Sequence, residues 1–447
     1  MEKTLYGFNS SQDVIHLQTK YSLFGRVANI VFSTVVEDGF DKDLMKKAIN
    51  ELIARNDCLR ITFVKKDKKI LQYFADNREI KNIPYLKLDS VSKQDAFINK
   101  FRLHKLNCFK GETLKVAFAT NPDGKDVIFF KISHYVADTY GIGILISDLF
   151  AVYSALKEGR ELPEAPGSFE EVLKKDLDYK DNTESVERDR EFFNAYYSGK
   201  KAPMYCGIHG NNSDIWMKHK RKGEFSIPYL FVKCDTEGYK LAIPAAVTNR
   251  AVEWCKANNI TLSAFFYYTF SIAASVINDK EKYLAPLMLL DCRGTMAERK
   301  AAGTKVQSIS IYTTVDYDKS FTENISSEYA DQNQLFRHTK LSYLNVEAMQ
   351  HKLWNYSMLG QVTAFCYSFI PFSAPQGVTM QIHSNGKGAL TTYVALMLNS
   401  GTNEIEVAYD IQTKMTSARQ LMDFHNLYLH VIETVLDKPE EKLANIL

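Results

Sequence analysis

The feature that most constrains the fold is a repeated order of strand, turn, strand, short loop and long helix. The order first occupies residues 114–156, with a turn at residues 121–124 and a helix that begins near Gly141. It returns over residues 390–436, with a turn at residues 399–403. Two strands followed by an amphipathic helix bury one face of a sheet. The pattern predicts two similar α+β lobes with a cleft between them, unless it is simply a common unit that occurs twice.

The two copies differ where the second strand ends. Residues 127–130 are apolar, and the strand predicted at residues 127–132 lacks alternation, which is typical of a central strand covered on both faces. His134 follows this strand, and Asp138 stands four positions later. The second copy has only Gln-Thr-Lys at residues 412–414. This difference predicts that the first lobe supplies most of the chemistry.

Composition limits the classes of function. The 447 residues are 45% hydrophobic and 24% charged, which is typical of a globular chain with room for two cores. The net charge of +2 gives no reason to expect nucleic acid or an acidic membrane surface as a partner. No apolar run is long enough to span a bilayer, and the polar start is not a signal peptide. Seven cysteines without a C-x-x-C pair indicate reduced thiols, so we expect a cytoplasmic protein.

The chain offers one natural division. Residues 158–168 (EGRELPEAPGS) form a linker rich in Pro, Gly and Glu, and charged helical residues follow to about Gly199. We therefore expect an N-terminal lobe at residues 1–175, which carries His134 and Asp138, and a C-terminal lobe at residues 176–447.

His134 is the residue best suited to catalysis. Imidazole titrates near neutral pH and can accept a proton from an attacking oxygen or nitrogen. A hydrogen-bonded core histidine is the alternative. Metal-dependent hydrolysis through His134 and Asp138 is disfavoured, because no second histidine lies nearby in a ligand-like pattern. We therefore expect no metal site.

Several segments resemble the condensation-domain branch of the chloramphenicol-acetyltransferase-like acyltransferases. Residues 55–63 (RNDCLRITF) are similar to the family segment R-H-E-x-L-R-T-x-F, with Asp57 replacing Glu. Residues 133–138 (SHYVAD) are similar to H-H-x-x-x-D, with Ser133 in place of the first histidine and Thr139 in place of the following glycine. The remaining matches are Gln12, in a segment similar to S-x-A-Q, and Asp291-Cys292-Arg293 with Gly303, which resembles D-x-R…G.

The resemblance implies an α/β fold of two-layer α+β lobes. These would form a pseudo-dimer of two chloramphenicol-acetyltransferase-like lobes in a V shape with a central tunnel, and the chain would work as a monomer. An acyl group would pass directly from a pantetheine thioester to a small amine or hydroxyl acceptor, with His134 as base or positioning residue. The thioester would arrive in trans on a carrier protein or on coenzyme A. No bound cofactor is implied.

The resemblance also assigns supporting roles. Asp138 is implied to pair with Arg293 and to hold the loop, whereas surface placement of Arg293 is the alternative. Ser368, Gly141 and Ser133 are candidates for oxyanion or substrate contact. A plain strand serine at Ser368 and a helix cap at Gly141 are the alternatives.

Two further features leave the function open. The cluster Lys218-His219-Lys220-Arg221-Lys222 suits coenzyme A phosphates or an acidic carrier-protein helix, or is a solvated loop. Thr139 and the unassigned oxyanion group keep a second hypothesis, in which the chain is a catalytically silent module that binds a carrier protein or ligand.

Overall fold

The structure is a computed structural model that describes residues 3–21, 26–103, 105–210, 224–226, 235–357, 360–370, 374–384, 386–388, 390–399 and 401–447. The cluster at residues 218–222 lies outside the described residues. The helices of the described part are α1 (Ser10–Tyr21), α2 (Lys42–Arg55), α3 (Val91–Leu103), α4 (Thr139–Glu158), α5 (Phe169–Asp181), α6 (Thr183–Tyr197), α7 (Ala245–Asn258), α8 (Leu262–Ile277), α9 (Met296–Lys300), α10 (Phe321–Leu335), α11 (Tyr343–Leu353), α12 (Ala418–Asp437) and α13 (Leu443–Ile446). The strands of this part are β1 (Asn29–Val36), β2 (Ile61–Lys66), β3 (Lys69–Phe74), β4 (Tyr85–Lys87), β5 (Leu114–Thr120), β6 (Asp126–Ser133), β7 (Phe225–Ser226), β8 (Thr236–Ile243), β9 (Tyr283–Leu284), β10 (Leu287–Asp291), β11 (Val306–Ser310), β12 (Thr313–Thr314), β13 (Gly360–Gln361), β14 (Phe365–Ile370), β15 (Val378–His383), β16 (Thr392–Leu398) and β17 (Ile405–Gln412).

The chain divides into two compact units. Unit 1 contains residues 1–183, 291–306 and 372–385, and unit 2 contains residues 184–290, 307–371 and 386–447. Each unit has its own sheet and helices, as the predicted pair of α+β lobes requires. The division of the chain at residue 175 stays a prediction, as do the V shape and the tunnel.

Unit 1 is built on a five-stranded sheet in the order β15-β1-β6-β5-β4. The central strand β6 pairs antiparallel with β1 and β5, and Phe130 lies opposite Phe32 and Val116. Ile128 and Phe130 belong to the core that also holds residues of α2 and α4. Phe129 belongs to a smaller core on the other face, with Phe101 of α3. This confirms the prediction that the strand is central and covered on both faces.

Unit 2 is built on a six-stranded sheet in the order β11-β10-β14-β16-β17-β8. The hairpin of β16 and β17 is antiparallel, with Thr392 opposite Ile411, and β17 also pairs antiparallel with β8. The helix α12 that follows buries the apolar side chains predicted from its periodicity: Leu421, Phe424, Tyr428, Val431 and Val435. The strand, turn, strand and helix order thus occurs in both units.

Some predicted elements were wrong in extent. The sequence pattern predicts one strand at residues 283–290 and another at residues 306–315, but each of these segments is divided into two strands. Pro286, which has no N–H, lies in the first gap, and its carbonyl accepts from the amide of Ile311 (3.1 Å) in the second. The helices α1, α10 and α11 were not predicted. Ser320 and Glu323 form a capping box at the start of α10, a signal that the sequence did contain.

One described helix, α4, is long and apolar enough to cross a bilayer by length and composition alone. The pair α7 and α8 meets the same test together, but it is bent by 112°. In α4, 56% of the most apolar window is buried in the protein, because the helix packs in the core of unit 1. We expected no apolar run long enough to span a bilayer, and by length and composition α4 is an exception to this expectation.

Candidate active site

His134 lies on a tight turn directly after β6. The amide of Val136 donates to the carbonyl of Ser133 (3.0 Å) and closes the turn. The amide of His134 donates to the carbonyl of Ala28 (2.6 Å), and the amide of Ser133 donates to the carbonyl of Thr113 (2.9 Å). Because Ala28 precedes β1 and Thr113 precedes β5, the turn is tied to both neighbours of β6.

His134 is half-buried as a residue, whereas Ser133 and Tyr135 on either side of it are buried. Its Nδ1 atom is buried near the backbone of Ala137, without a well-formed hydrogen bond to any described residue. Neither feature is typical of a hydrogen-bonded core histidine. Burial, the largest influence, lowers the pKa of His134, and the charge of Asp138 opposes this shift without reversing it. The ring is therefore mostly neutral at neutral pH and can accept a proton.

The carboxylate of Asp138 is occupied by the groups that support the loop. Oδ1 accepts from the amide of Gly141 (2.8 Å) and caps α4, and Oδ2 accepts from the amides of Lys305 (2.7 Å) and Val306 (2.9 Å). Arg293 donates to Oδ2 (3.1 Å) and to Oδ1 (3.2 Å). These bonds use the lone pairs of both oxygens, so the carboxylate is not available to relay a proton from the imidazole.

Arg293 is buried, with 3% of its surface exposed, which contradicts the alternative of a surface arginine. It also donates to the carbonyl of Gly303 (2.8 Å) and to Asp291 (2.6 Å). Burial, the largest influence, lowers the pKa of Arg293, but the charges and hydrogen bonds of Asp138 and Asp291 outweigh it and raise the pKa. The guanidinium therefore stays charged, and the structure brings the predicted pair together.

Gly141 and Gly303 make a close backbone approach possible. A Cβ atom on Gly141 would lie 2.6 Å from the carbonyl oxygen of Gly303. Gly303 has φ +120°, and a Cβ atom there would lie 2.1 Å from the ring of Phe169. The start of α4 thus packs directly on the segment that carries Arg293. Thr139 begins α4 with ordinary helical backbone, so no glycine is required at that position.

The other candidate contacts lie in different places. The hydroxyl of Ser133 is buried against the thiol of Cys108 (3.4 Å). Ser368 lies in unit 2 on β14, opposite Ala395 and beside Tyr393, and it is buried. Roles for Ser133, Ser368 and Gly141 in oxyanion or substrate contact stay predictions.

The segment at residues 55–63 supports unit 1 instead of forming a site. Arg55 pairs with buried Asp148 (3.2 Å). Asp57 accepts from the amides of Phe169 (2.9 Å) and Glu170 (3.0 Å) at the start of α5. These contacts fix the helix that packs on Gly303.

Two buried groups near the turn received no role from the sequence alone. The buried amide of Gln12 donates to the carbonyl of Tyr135 (2.9 Å), and nothing in the periodicity signals this contact. Lys131 is buried on β6, where burial lowers its pKa to about 8, and it donates to the carbonyl of Phe101 (2.7 Å). A lysine within an apolar strand was a signal that the sequence did contain.

The chain is similar to known proteins over its whole length. The model of the family described as the condensation domain matches residues 4–447. Surfactin synthase subunit 1 of Bacillus subtilis (strain 168) is 18% identical over 457 residues, which cover 100% of this chain and 12% of that protein. The chain thus spans about an eighth of the length of that relative.

Two solved structures show the same fold. The first condensation domain of the calcium-dependent antibiotic synthetase, in complex with a substrate analogue, has a TM-score of 0.82 at 13% identity and covers 99% of both chains. A variant of the starter condensation domain of rhizomide synthetase, in complex with C8-CoA and Leu-SNAC, has a TM-score of 0.81 at 16% identity, covering 99% of this chain and 97% of that one. These likenesses confirm the predicted α/β class and the two-lobed fold.

Proposed function

We propose, because this chain belongs to the condensation-domain family, that it transfers an acyl group from a pantetheine thioester to an amine or hydroxyl acceptor. The product is an amide or an ester, and the donor is carried by a carrier protein or by coenzyme A. His134 acts as the general base or as the group that positions the acceptor.

The state of His134 carries this proposal. The residue is half-buried, burial lowers the pKa of its imidazole, and it stands on a turn tied to two neighbouring strands. A neutral imidazole held in one place is suited to accept a proton at the moment an acceptor attacks. The carboxylate of Asp138 is committed to Arg293 and backbone amides, which favours a single-histidine site.

The reaction needs no group beyond the two substrates and His134. The acceptor nitrogen or oxygen attacks the thioester carbonyl carbon while His134 takes its proton. The new C–N or C–O bond forms, the C–S bond breaks, and the thiolate leaves. The imidazolium then returns the proton to the sulfur.

A silent binding module is the alternative, and its two supports were Thr139 and the unassigned oxyanion group. The ordinary helical backbone at Thr139 removes the first of these, because a threonine adopts it without strain. The close approach that does require glycine is made at Gly141. These observations favour an active enzyme over a silent one.

The proposal is tested with purified protein and a panel of thioesters. The donors are acyl-CoA and acyl-SNAC thioesters, with C8-CoA among them, and the acceptors are amines and alcohols, with Leu-SNAC among them. Amide or ester product is measured by mass spectrometry. We expect product from the parent protein and a loss of about 10²–10⁴-fold in a folded His134→Ala variant.

His430→Ala is the matched control, because His430 is exposed on α12 of unit 2. It should keep the parent rate. Equal turnover by His134→Ala and the parent would remove His134 from the reaction. No product with any donor, together with calorimetric binding of a loaded carrier protein, would favour the silent module.

A further inference from the structure

We propose that Gln12 and Gln72 form a positioning pair for His134. The pair holds the carbonyl of Tyr135, the residue directly after the histidine, and so fixes the turn on which the imidazole stands. The kinetic part of this proposal rests on the proposed acyl transfer, whereas its spectroscopic part does not.

The amide of Gln12 makes every hydrogen bond that it can make. Its Nε2 donates to the carbonyl of Tyr135 (2.9 Å) and to Oε1 of Gln72 (2.9 Å). Its Oε1 accepts from Nε2 of Gln72 (2.7 Å) and from the amide of Asn9 (3.1 Å). Both donors and both acceptor sites are thus used, and the side chain has 0% of its surface exposed. A group so completely satisfied has one orientation.

Gln72 anchors the pair to the two-stranded sheet formed by β2 and β3 in unit 1. It lies on β3 with 0% of its surface exposed, and its Nε2 also donates to the carbonyl of Gly7 (2.8 Å). Its backbone pairs with Tyr6 through two hydrogen bonds of 2.8 Å and 2.9 Å. The pair therefore connects the N-terminal segment, β3 and the turn.

Within the turn, the carbonyl of Tyr135 is the group that depends on a side-chain donor, because the residues before and after it are held by other hydrogen bonds. The residues before it are held by the amide of His134 on Ala28, and those after it by the bonds of Asp138. Tyr135 is itself buried, so without Gln12 its carbonyl would lose a hydrogen bond away from water. The backbone beside His134 would then rearrange to find another donor.

The second copy of the unit supports this interpretation. Its turn at residues 412–415 places Lys414 where the first copy has Tyr135, and Lys414 is exposed. Among the described residues, no side chain donates to the carbonyl of Lys414. The anchoring amide thus occurs in the copy that carries a histidine. Gln12 is buried, so it acts through His134 and is a positioning residue.

The test replaces Gln12 by methionine, which has a similar shape and cannot make these bonds. Gln332→Met is the matched control, since Gln332 has 1% of its surface exposed on α10 of unit 2. The protein is labelled with ¹³C at histidine Cε1, and the signal of His134 is assigned by its loss in His134→Ala. We expect the apparent pKa of His134 to move by about half a unit in Gln12→Met and to stay unchanged in Gln332→Met.

Kinetics give the second readout. We expect kcat to fall by about 10–100-fold in Gln12→Met, with KM for the thioester unchanged, because a displaced imidazole costs rate more than binding. Gln72→Met leaves the bond from Gln12 to Tyr135 in place, so its loss in kcat should be smaller. If circular dichroism shows that Gln12→Met does not fold, Gln72→Met replaces it in both measurements, with the smaller effect expected of that variant.

An unchanged His134 titration in a folded Gln12→Met variant overturns the positioning role, whatever the rates are. A parent protein without any transfer activity overturns the proposed function instead, and the titration alone then decides the role of Gln12. An equal shift in Gln332→Met would also count against the proposal, since that residue belongs to unit 2 and has no part in the turn.

Discussion

The turn after β6 in unit 1 and the turn after β17 in unit 2 are closed by corresponding backbone hydrogen bonds but carry different side chains. The first is closed by the amide of Val136 on the carbonyl of Ser133 (3.0 Å), and the second by the amide of Met415 on the carbonyl of Gln412 (2.9 Å). Each is followed by a capping residue and a helix of 20 residues. The repeat seen in the sequence is therefore a repeat of structure, down to single hydrogen bonds.

The backbone hydrogen bonds made by the second residue of each turn also correspond. The amide of His134 donates to the carbonyl of Ala28 (2.6 Å), and the amide of Thr413 donates to the carbonyl of Asp235 (3.1 Å). Thr413 is thus the structural counterpart of His134. Since one scaffold carries a histidine and the other a threonine, the chemistry depends on side chains that the scaffold does not dictate.

The capping residues also differ. Asp138 caps α4 with a carboxylate that is buried and paired with Arg293. Ser417 caps α12 in a capping box with Gln420 and carries no charge. The charged version requires a buried partner, and the neutral version does not, so the first copy is the more sensitive to substitution.

The largest effect is expected when the histidine of the first turn is replaced by the threonine of the second. His134→Thr should lower transfer activity by about 10²–10⁴-fold, because the base is lost while the turn is kept. Thr413→His, the reverse change, should leave the rate at the parent value. Steady-state rates with one thioester measure both, and a large loss in Thr413→His would show that the two turns are not equivalent in the way proposed.

The next effect concerns the stability of the two caps. Arg293→Met should lower the free energy of unfolding by about 3–5 kcal/mol, because the buried carboxylate of Asp138 loses its counter-charge. Ser417→Ala, in the second copy, should lower it by about 1 kcal/mol. Urea unfolding measures both. Similar losses for the two variants would mean that the backbone amides alone satisfy Asp138.

Smaller effects are expected from substitutions at Gly141, which makes a close backbone contact, and at Thr139. Gly141→Ala should lower the free energy of unfolding by about 1–3 kcal/mol, because the new Cβ would meet the backbone of Gly303. Thr139→Gly, which restores the glycine of the resembling motif, should not raise transfer activity, because the backbone there already has an ordinary conformation. A gain in rate would restore the silent-module interpretation.

The smallest effect is one of pH. Burial lowers the pKa of His134, so the neutral, proton-accepting form persists below the usual histidine pKa of about 6.5. The kcat of the parent should therefore be nearly constant above neutral pH and should fall as pH drops through a value below 6.5. A fall centred above 6.5 would contradict a buried neutral base.

Local patterns predicted the elements that carry the site. The strand at residues 127–132, the helix after Gly141 and the hairpin before α12 were all recognised from periodicity and turn residues. Each depends on neighbours a few positions apart, which a sequence displays directly. The divided strands around Pro286 depend on a bond to Ile311, which no local pattern records.

The supports of the site were less predictable. The pairing of Asp138 with Arg293 came from a family resemblance, since spacing alone does not bring residues so far apart in sequence together. The amides of Lys305 and Val306 are backbone groups that any residue would supply, so their bonds to Asp138 leave no mark in the sequence. Gln12 was noted only as part of a motif, and its partner Gln72 was not noted.

The strand β15 has a consequence for how unit 1 is made. Its residues pair with β1, so that Val31 lies opposite His383, and the edge of this sheet is completed by a segment near the end of the chain. During synthesis, one edge of β1 stays unpaired until β15 has left the ribosome. Unpaired strand edges promote incorrect pairing with other strands. A fragment cut after Thr183 would lack both this strand and Arg293, so the first half cannot be excised as a working domain.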